Sequence, residues 1–123
     1  MSWLQSIPHQ FPFRAASTGR RVDDKTIEGT FVCTANDVMG PEIMAAEAMA
    51  QLAGGLVFES GRQGLLSGIE GCEIDRPLEP GDVVAFTVRL EAEFGGVYRF
   101  RGTGSIGGLE CVRGRFYLAS AQA

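Results

Sequence analysis

Two polar residues, Glu47 and Gln51, lie four positions apart in an otherwise apolar segment, 43–58. In a helix this spacing places both side chains on one face, and Gly54 continues the same line. A carboxylate among apolar side chains either takes up a proton or finds partners, because burying it charged and alone is very costly. A carboxyl group whose pKa is raised in this way suits general acid/base chemistry. The alternative is that Glu47 pairs with an arginine or lies at a rim or a subunit contact.

The other candidates for chemistry are His9, the only histidine, and three widely spaced cysteines, Cys33, Cys72 and Cys111. A lone histidine in a proline-rich segment is more often structural than catalytic, and a thiol without an activating histidine or cation is usually inert. An odd number of distant cysteines favours a reducing, cytoplasmic setting over a disulfide framework. Without a close cluster of cysteine and histidine, the sequence predicts neither a metal site nor a cofactor.

The segment that carries Glu47 has the signals of one long helix between Gly40 and Gly61. Pro41 suits the first helical position, Glu42 complements the positive end of the helix dipole, and Gly61 suits the left-handed cap. About twenty residues, roughly 30 Å, are therefore predicted to be helical. Because apolar residues occupy the whole circumference, we expect the helix to be buried on all sides by a sheet. With its polar and glycine interruptions it is a poor membrane span.

The rest of the chain shows the alternation and turn signals of extended strands. The predicted strands are 13–18 and 25–34, joined by a polar loop at 19–24, and, after the helix, 65–75, 83–93, 98–106 and 109–119. The strongest turn signal is 76–82, with Pro80 and Gly81 at its tip. One long helix inside a curved antiparallel meander is an α+β architecture. A length of 123 residues fits a single domain, 1–123.

Composition narrows the range of partners. The net charge is −4 and no basic run is present, which argues against nucleic-acid binding. A short chain with a wholly apolar helix needs more cover than six or so strands provide. We therefore expect a two-fold homodimer, or a multiple of such dimers, with the sheets joined edge to edge.

Three motifs occur in the order and approximate spacing of one known family. They are Pro8-His9-Gln10-Phe11-Pro12-Phe13, Glu47-Ala48-Met49-Ala50-Gln51 and Arg76-Pro77-Leu78-Glu79-Pro80-Gly81-Asp82. Over nearly its whole length the chain resembles the β-hydroxyacyl-acyl-carrier-protein dehydratases of fatty-acid synthesis. The resemblance implies a hotdog fold, in which a curved antiparallel sheet wraps one long helix. It also implies a dimer with its acyl tunnels at the subunit interface.

The resemblance further implies a reaction and the residues that perform it. The family removes water from a 3-hydroxyacyl thioester to give the trans-2-enoyl thioester, using a histidine from one subunit and the helix carboxylate of the other. Glu47 matches that carboxylate, but the histidine position corresponds to Cys33, or to Val32 with a one-residue shift. The glycine whose amide faces the thioester carbonyl corresponds to Glu42. His9 is then the only imidazole available to the site.

We therefore expect Glu47 and His9 to be catalytic, with Gln51 holding the carboxylate or a bound water. Three functions remain open. The first is a dehydratase, or the reverse hydratase, that acts on acyl-carrier-protein or coenzyme A thioesters. The second is a hotdog thioesterase in which the helix carboxylate activates water, and the third is a non-catalytic homologue that binds an acyl chain or pairs with an active subunit. The residues predicted to contact the substrate are Gln51, Glu42, Ile43, Cys33, Gly54 and Phe11.

Overall fold

A computed structural model of the chain describes residues 16–33, 41–57 and 64–120, with the backbone alone for 16, 17, 41, 42, 64–66 and 120. These residues form six strands and one helix. The elements are β1 (Ala16–Asp23), β2 (Thr26–Val32), α1 (Pro41–Val57), β3 (Gly64–Ile74), β4 (Val83–Phe94), β5 (Val97–Ile106) and β6 (Leu109–Ser120). The described residues thus confirm the predicted α+β arrangement of one helix against an antiparallel sheet.

The six strands form one sheet in the order β1-β2-β4-β5-β6-β3, with every described pairing antiparallel. The predicted meander is confirmed for β4 to β6 but is wrong for β3, which pairs with β6 at the far edge. The segment after β3 crosses back towards β2, and its Leu78 is buried in the core. Burial of that side chain fixes the path of the crossover, so that β4 adds to β2 instead of to β3.

The predicted loop at 19–24 is wrong for most of its length, because β1 continues to Asp23. Arg20 of β1 forms an ion pair with Glu28 of β2 at 3.0 Å, and both side chains are exposed. An antiparallel edge strand with one solvated face needs few apolar residues. Polarity alone therefore did not distinguish this strand from a loop.

Helix α1 begins at Pro41, as predicted, and is described as far as Val57, whereas the predicted end at Gly61 lies outside the described residues. Its core side is packed tightly on β2: a methyl group built at Gly29 would collide with the Leu52 side chain. From β1, the guanidinium of Arg21 donates to the Leu56 carbonyl at 2.8 Å and so joins the helix to this edge of the sheet.

The expectation that the helix is buried on all sides is wrong for the described chain. Ile43 is 58% exposed, and Glu47 and Val57 are only partly buried. The sheet covers one side of the helix and leaves a strip on the other side open. Among the described residues, no helix has the length and apolar character needed to cross a membrane.

Candidate active site

The helix face that carries Glu47 passes from solvent into the core along its length. Ile43, at the start of the helix, is 58% exposed, whereas Gln51, two turns later, is 2% exposed and Gly54 is buried. Glu47 lies between them, partly buried, with its Oε1 atom shielded from solvent. The carboxyl group is thus held at the rim of the apolar interior, where a ligand and a proton donor or acceptor can meet.

An apolar cleft opens between the next face of the helix and the edge of the sheet. It is shallow, with a volume of about 10 Å³, which is room for about one water molecule. Ala46, which precedes Glu47 in the same helical turn, contributes to its wall. Its wall is formed by Ala46 and Met49 of α1, Ile69 and Cys72 of β3, and Gly114, Arg115 and Phe116 of β6.

Cys33, which the family resemblance predicts at the histidine position, lies just after β2 and is 2% exposed. Its backbone is fixed on both sides: its N–H donates to the Asp82 carbonyl and its carbonyl accepts from the Gly81 N–H, each at 2.9 Å. The side chain belongs to the hydrophobic core cluster. The structure therefore places this thiol among core residues, and its role in substrate binding stays a prediction.

The 76–82 motif has a structural role that explains its residue types. The Asp82 carboxylate accepts from the Glu79 N–H at 2.8 Å and from the Arg76 guanidinium at 3.3 Å. The backbone hydrogen bond from Glu79, with a smaller contribution from Arg76, lowers the pKa of Asp82. Gly81 adopts a positive φ of 95°, which a residue with a side chain rarely tolerates. The motif forms a tight turn that holds the end of β2.

Several predicted site residues cannot be placed. His9 and Phe11 lie outside the described residues, and Glu42 is described by its backbone alone. The structure places Glu47 and Gln51 on one helix face, as their spacing predicted, with Ile43 one turn before them. The pairing of His9 with Glu47 and the contact of Phe11 with substrate stay predictions.

The outer face of the sheet carries a separate set of charges. Arg113 forms a two-pronged contact with Asp75, at 2.9 and 2.7 Å, and donates to Glu110 at 3.0 Å. The hydrogen bond from Arg113 lowers the pKa of Asp75. Nearby, Arg115 donates to Glu91 at 2.8 Å, which lowers the pKa of Glu91. These groups are paired with one another on the exposed side of the sheet, away from the helix, and have the character of surface ion pairs.

Sequence reasoning missed the cleft, because its wall comes from strands and a helix that are far apart in the chain. One signal was present: Gly102 and Gly114 alternate with charged residues in β5 and β6 and pair across the two strands. Inward-facing glycines mark places where something approaches the sheet closely. In the described residues, no group of three acidic, cysteine or histidine side chains is arranged to hold a metal ion.

Comparison with solved structures identifies the fold. One subunit of the dehydratase heterocomplex ApeI:P from Xenorhabdus doucetiae superposes with a TM-score of 0.85 and 20% identity, over 99% of this chain and 92% of that one. A hypothetical thioesterase of Streptococcus pneumoniae solved with coenzyme A superposes with a TM-score of 0.66 and 11% identity, over 87% and 88%. At these identities the likeness shows the fold alone. The fold is the predicted hotdog fold.

Comparison with curated sequences identifies the family, although no family model matches the chain. The 3-hydroxyacyl-[acyl-carrier-protein] dehydratase FabZ of Acidovorax sp. is 32% identical, covering 85% of this chain and 84% of the relative. The enzyme of the same name from Verminephrobacter eiseniae is 28% identical, covering 85% and 81%. With similarity over this share of its length, the chain belongs to the FabZ family of β-hydroxyacyl-acyl-carrier-protein dehydratases.

Proposed function

We propose that the chain is a dehydratase subunit that converts a 3-hydroxyacyl thioester on acyl carrier protein into the trans-2-enoyl thioester, and that it also catalyses the reverse hydration. The observation that carries the proposal is the position of Glu47. A carboxyl group at the rim of an apolar interior suits a substrate with a polar thioester head and an alkyl tail.

In this proposal Glu47 transfers a proton to the departing C3 hydroxyl, and an imidazole removes the proton from C2. A positioned acid or base contributes about 10²–10⁴-fold to such a step. His9 is the only histidine in the chain, so we assign the imidazole to it, from either the same subunit or its partner. Gln51, one helical turn beyond Glu47, orients the carboxyl group or a bound water.

The proposed assembly is a homodimer that brings two such sites to the subunit contact. Seven large apolar side chains are exposed among the described residues, and two of them, Ile43 on α1 and Ile69 on the edge strand β3, lie on the elements that we assign to the subunit contact. An edge strand next to exposed apolar residues favours pairing with another sheet. The reducing, cytoplasmic setting stays part of the proposal and accords with three free cysteines, Cys33, Cys72 and Cys111.

A second candidate function is thioester hydrolysis. A carboxylate on the central helix, such as Glu47, can activate water without an imidazole, so hydrolysis does not depend on His9. A hypothetical thioesterase with the same fold has been solved with coenzyme A. The third candidate is a subunit that supplies Glu47 to a histidine-bearing relative. Two observations favour it: Cys33 lies in the core, and a dehydratase of the same fold is a heterocomplex.

One assay series separates the three candidates. The purified protein is incubated with 3-hydroxyacyl, trans-2-enoyl and saturated acyl thioesters, on both acyl carrier protein and coenzyme A. We expect interconversion of the first two without release of free thiol. Release of free thiol would identify a hydrolase. If the chain is inactive alone but raises the turnover of an added histidine-bearing relative, it is a partner subunit instead.

A further inference from the structure

Two glycines of the sheet lie directly beneath side chains of α1. A methyl group built at Gly29 of β2 would collide with the Leu52 side chain, and one built at Gly102 of β5 would stand 2.5 Å from the Met49 sulfur. Leu52 and Met49 are both buried in the core. Each of them therefore occupies a notch in the sheet that exists only because the strand residue has no side chain.

The two notches lie on either side of β4, which separates β2 from β5 in the sheet. On β4, Phe86 pairs with Gly29 and Val88 pairs with Gly102. Both of these larger side chains are buried in the same core cluster as the helix, so they form a ridge between the notches. A helix with one side chain on each side of a ridge cannot roll about its own axis without pressing one of them against a strand.

Glu47 lies on the side of α1 that faces away from the two notches. At about 100° per residue, Glu47 is roughly 160° from Met49 and roughly 140° from Leu52 around the helix axis. With its side chains a helix has a radius of about 5–6 Å, so a roll of about 10° moves the carboxyl group about 1 Å sideways. A displacement of about 1 Å at a reacting group can cost about 10²-fold in rate. The direction of the Glu47 carboxyl group therefore depends on how the opposite side of the helix sits on the sheet.

We infer that Gly29 and Gly102 are positioning residues for Glu47: by leaving room for Leu52 and Met49, they fix the roll of α1 and with it the direction of the carboxyl group. The inference rests on the proposed function where turnover is the measurement, and on geometry alone where the roll is measured. Neither glycine is assigned a contact with substrate or a proton transfer. Their substitution should therefore lower kcat and leave KM nearly unchanged, because a misdirected acid weakens the transition state without removing the surfaces that bind the substrate.

Gly102→Ala places a methyl group in the Met49 notch. It should lower kcat for dehydration of a 3-hydroxyacyl thioester by about ten- to a hundredfold, with KM changed by less than about twofold. Gly114→Ala is the matched control, because Gly114 pairs directly with Gly102 on the neighbouring strand. A methyl group built at Gly114 would have Cys72 of β3 as its nearest neighbour, at 3.4 Å, and not the helix. This variant should keep kcat within about twofold of wild type.

A double-mutant cycle with Met49→Ala separates positioning from a general loss of stability. Once the sulfur over Gly102 is removed, the new methyl group has nothing of the helix to press against. In the Met49→Ala background, Gly102→Ala should therefore cost less than about twofold in kcat, although the double variant has lost more of its native packing. An equal loss of kcat in both backgrounds would overturn the inference.

A second variant tests the other notch without adding an atom, so it remains available if Gly102→Ala does not fold. Leu52→Val shortens the side chain over Gly29, and crystal structures superposed on the sheet should show α1 rolled towards β2. Gly102→Ala should roll it in the same direction, because it lifts the β5 side of the helix. Leu56→Val is the control: Leu56 is also buried on α1, and its truncation should leave the roll unchanged. An α1 that keeps its wild-type roll in Leu52→Val, or in Gly102→Ala where that variant folds, would overturn the inference.

The crystal structures and the rates keep the two proposals apart. If the wild-type protein dehydrates no 3-hydroxyacyl thioester, the proposed function fails, and the roll of α1 in the variants still decides whether the notches direct Glu47. If the wild-type protein is active and the roll changes without any change in kcat, the positioning role fails and the proposed function stands.

Discussion

The family resemblance implies a catalytic pair, a carboxylate at Glu47 on α1 and a second group at Cys33, which follows β2. The two residues differ in burial and in chemistry. Glu47 is a partly buried carboxyl group on the open face of the helix. Cys33 is a buried thiol within the core cluster. The predicted catalytic carboxyl group therefore lies at the edge of the core, whereas position 33 lies within it.

The burial of Cys33 agrees with the prediction that position 33 does not supply a catalytic group. The backbone at Cys33 is held by Gly81 and Asp82, and its side chain packs among apolar neighbours. A small thiol satisfies that environment, while an imidazole there would need a hydrogen-bond partner in the interior. Any imidazole that works with Glu47 must therefore come from elsewhere, and we assign it to His9.

Glu47→Gln is the substitution with the largest expected effect. The amide keeps the size of the side chain but cannot donate an acidic proton, so kcat/KM for dehydration should fall about 10²–10⁴-fold. The free energy of unfolding should stay the same or rise, because a partly buried acid is removed. Steady-state kinetics and thermal unfolding of the same samples test both expectations.

Glu28→Gln is the control for that substitution. Glu28 is an acid of the same type whose exposed ion pair with Arg20 lies on the two strands at the β1 edge of the sheet. Turnover should be unchanged in this variant. Full turnover by Glu47→Gln would show that position 47 is not catalytic, and unfolding of that variant would show that Glu47 serves an ion pair within the fold.

His9→Gln is expected to have the next largest effect. If His9 supplies the imidazole, removing it should lower kcat by about 10²-fold or more, with little change in KM. The pH profile should change as well, because the wild-type rate should depend on the protonation of an imidazole and the variant rate should not. Unchanged turnover and an unchanged pH profile would assign the imidazole to another protein.

Cys33→Ala is expected to act on stability more than on turnover. Truncating a side chain that is 2% exposed within the core should lower the free energy of unfolding by about 1–2 kcal/mol. Cys72→Ala is the comparison for stability, because Cys72 is exposed and its removal should change the unfolding free energy by less than about 0.5 kcal/mol. A large increase in KM for Cys33→Ala without loss of stability would instead support the predicted contact with substrate.

Asp75→Asn tests the outer face of the sheet and should have the smallest effect. The Asp75 carboxylate is exposed and paired with Arg113, which lowers its pKa, so the charged form is favoured in the folded protein. The Asp75–Arg113 pair therefore makes a small contribution to the free energy of unfolding at pH values above about 3.9, the pKa of Asp75 in the unfolded chain. This contribution is lost as the pH falls through the lower pKa that Asp75 has in the folded protein. The Tm difference between wild type and variant should shrink over that pH range, and turnover should be unchanged. A loss of turnover would connect this face with the site.

The helix and most of the strands could be predicted from the sequence because each has a local signal. Pro41 marks the start of α1, and alternation marks β4. The polar strand β1 and the position of β3 at the sheet edge could not be predicted, because both depend on pairing with distant parts of the chain. Local patterns do not record which strands become neighbours.

The candidate site could be predicted only where it lies within one element. The spacing of Glu47 and Gln51 is enough to place them on one helix face, because the helical period fixes which side chains align. The core position of Cys33 follows from its contacts with the distant turn at Gly81 and Asp82, which no local pattern reveals. The cleft at Met49 likewise depends on glycines in two other strands.

The most direct test of the central claim, that Glu47 is the catalytic carboxyl group, is a crystal structure with a stable 3-hydroxyacyl-pantetheine amide bound. We expect a Glu47 carboxylate oxygen to lie about 2.6–3.2 Å from the C3 hydroxyl, or to be joined to it by one water. The claim would be contradicted by a ligand that occupies the cleft with its C3 hydroxyl more than about 8 Å from every Glu47, which exceeds the reach of a proton transfer through one water.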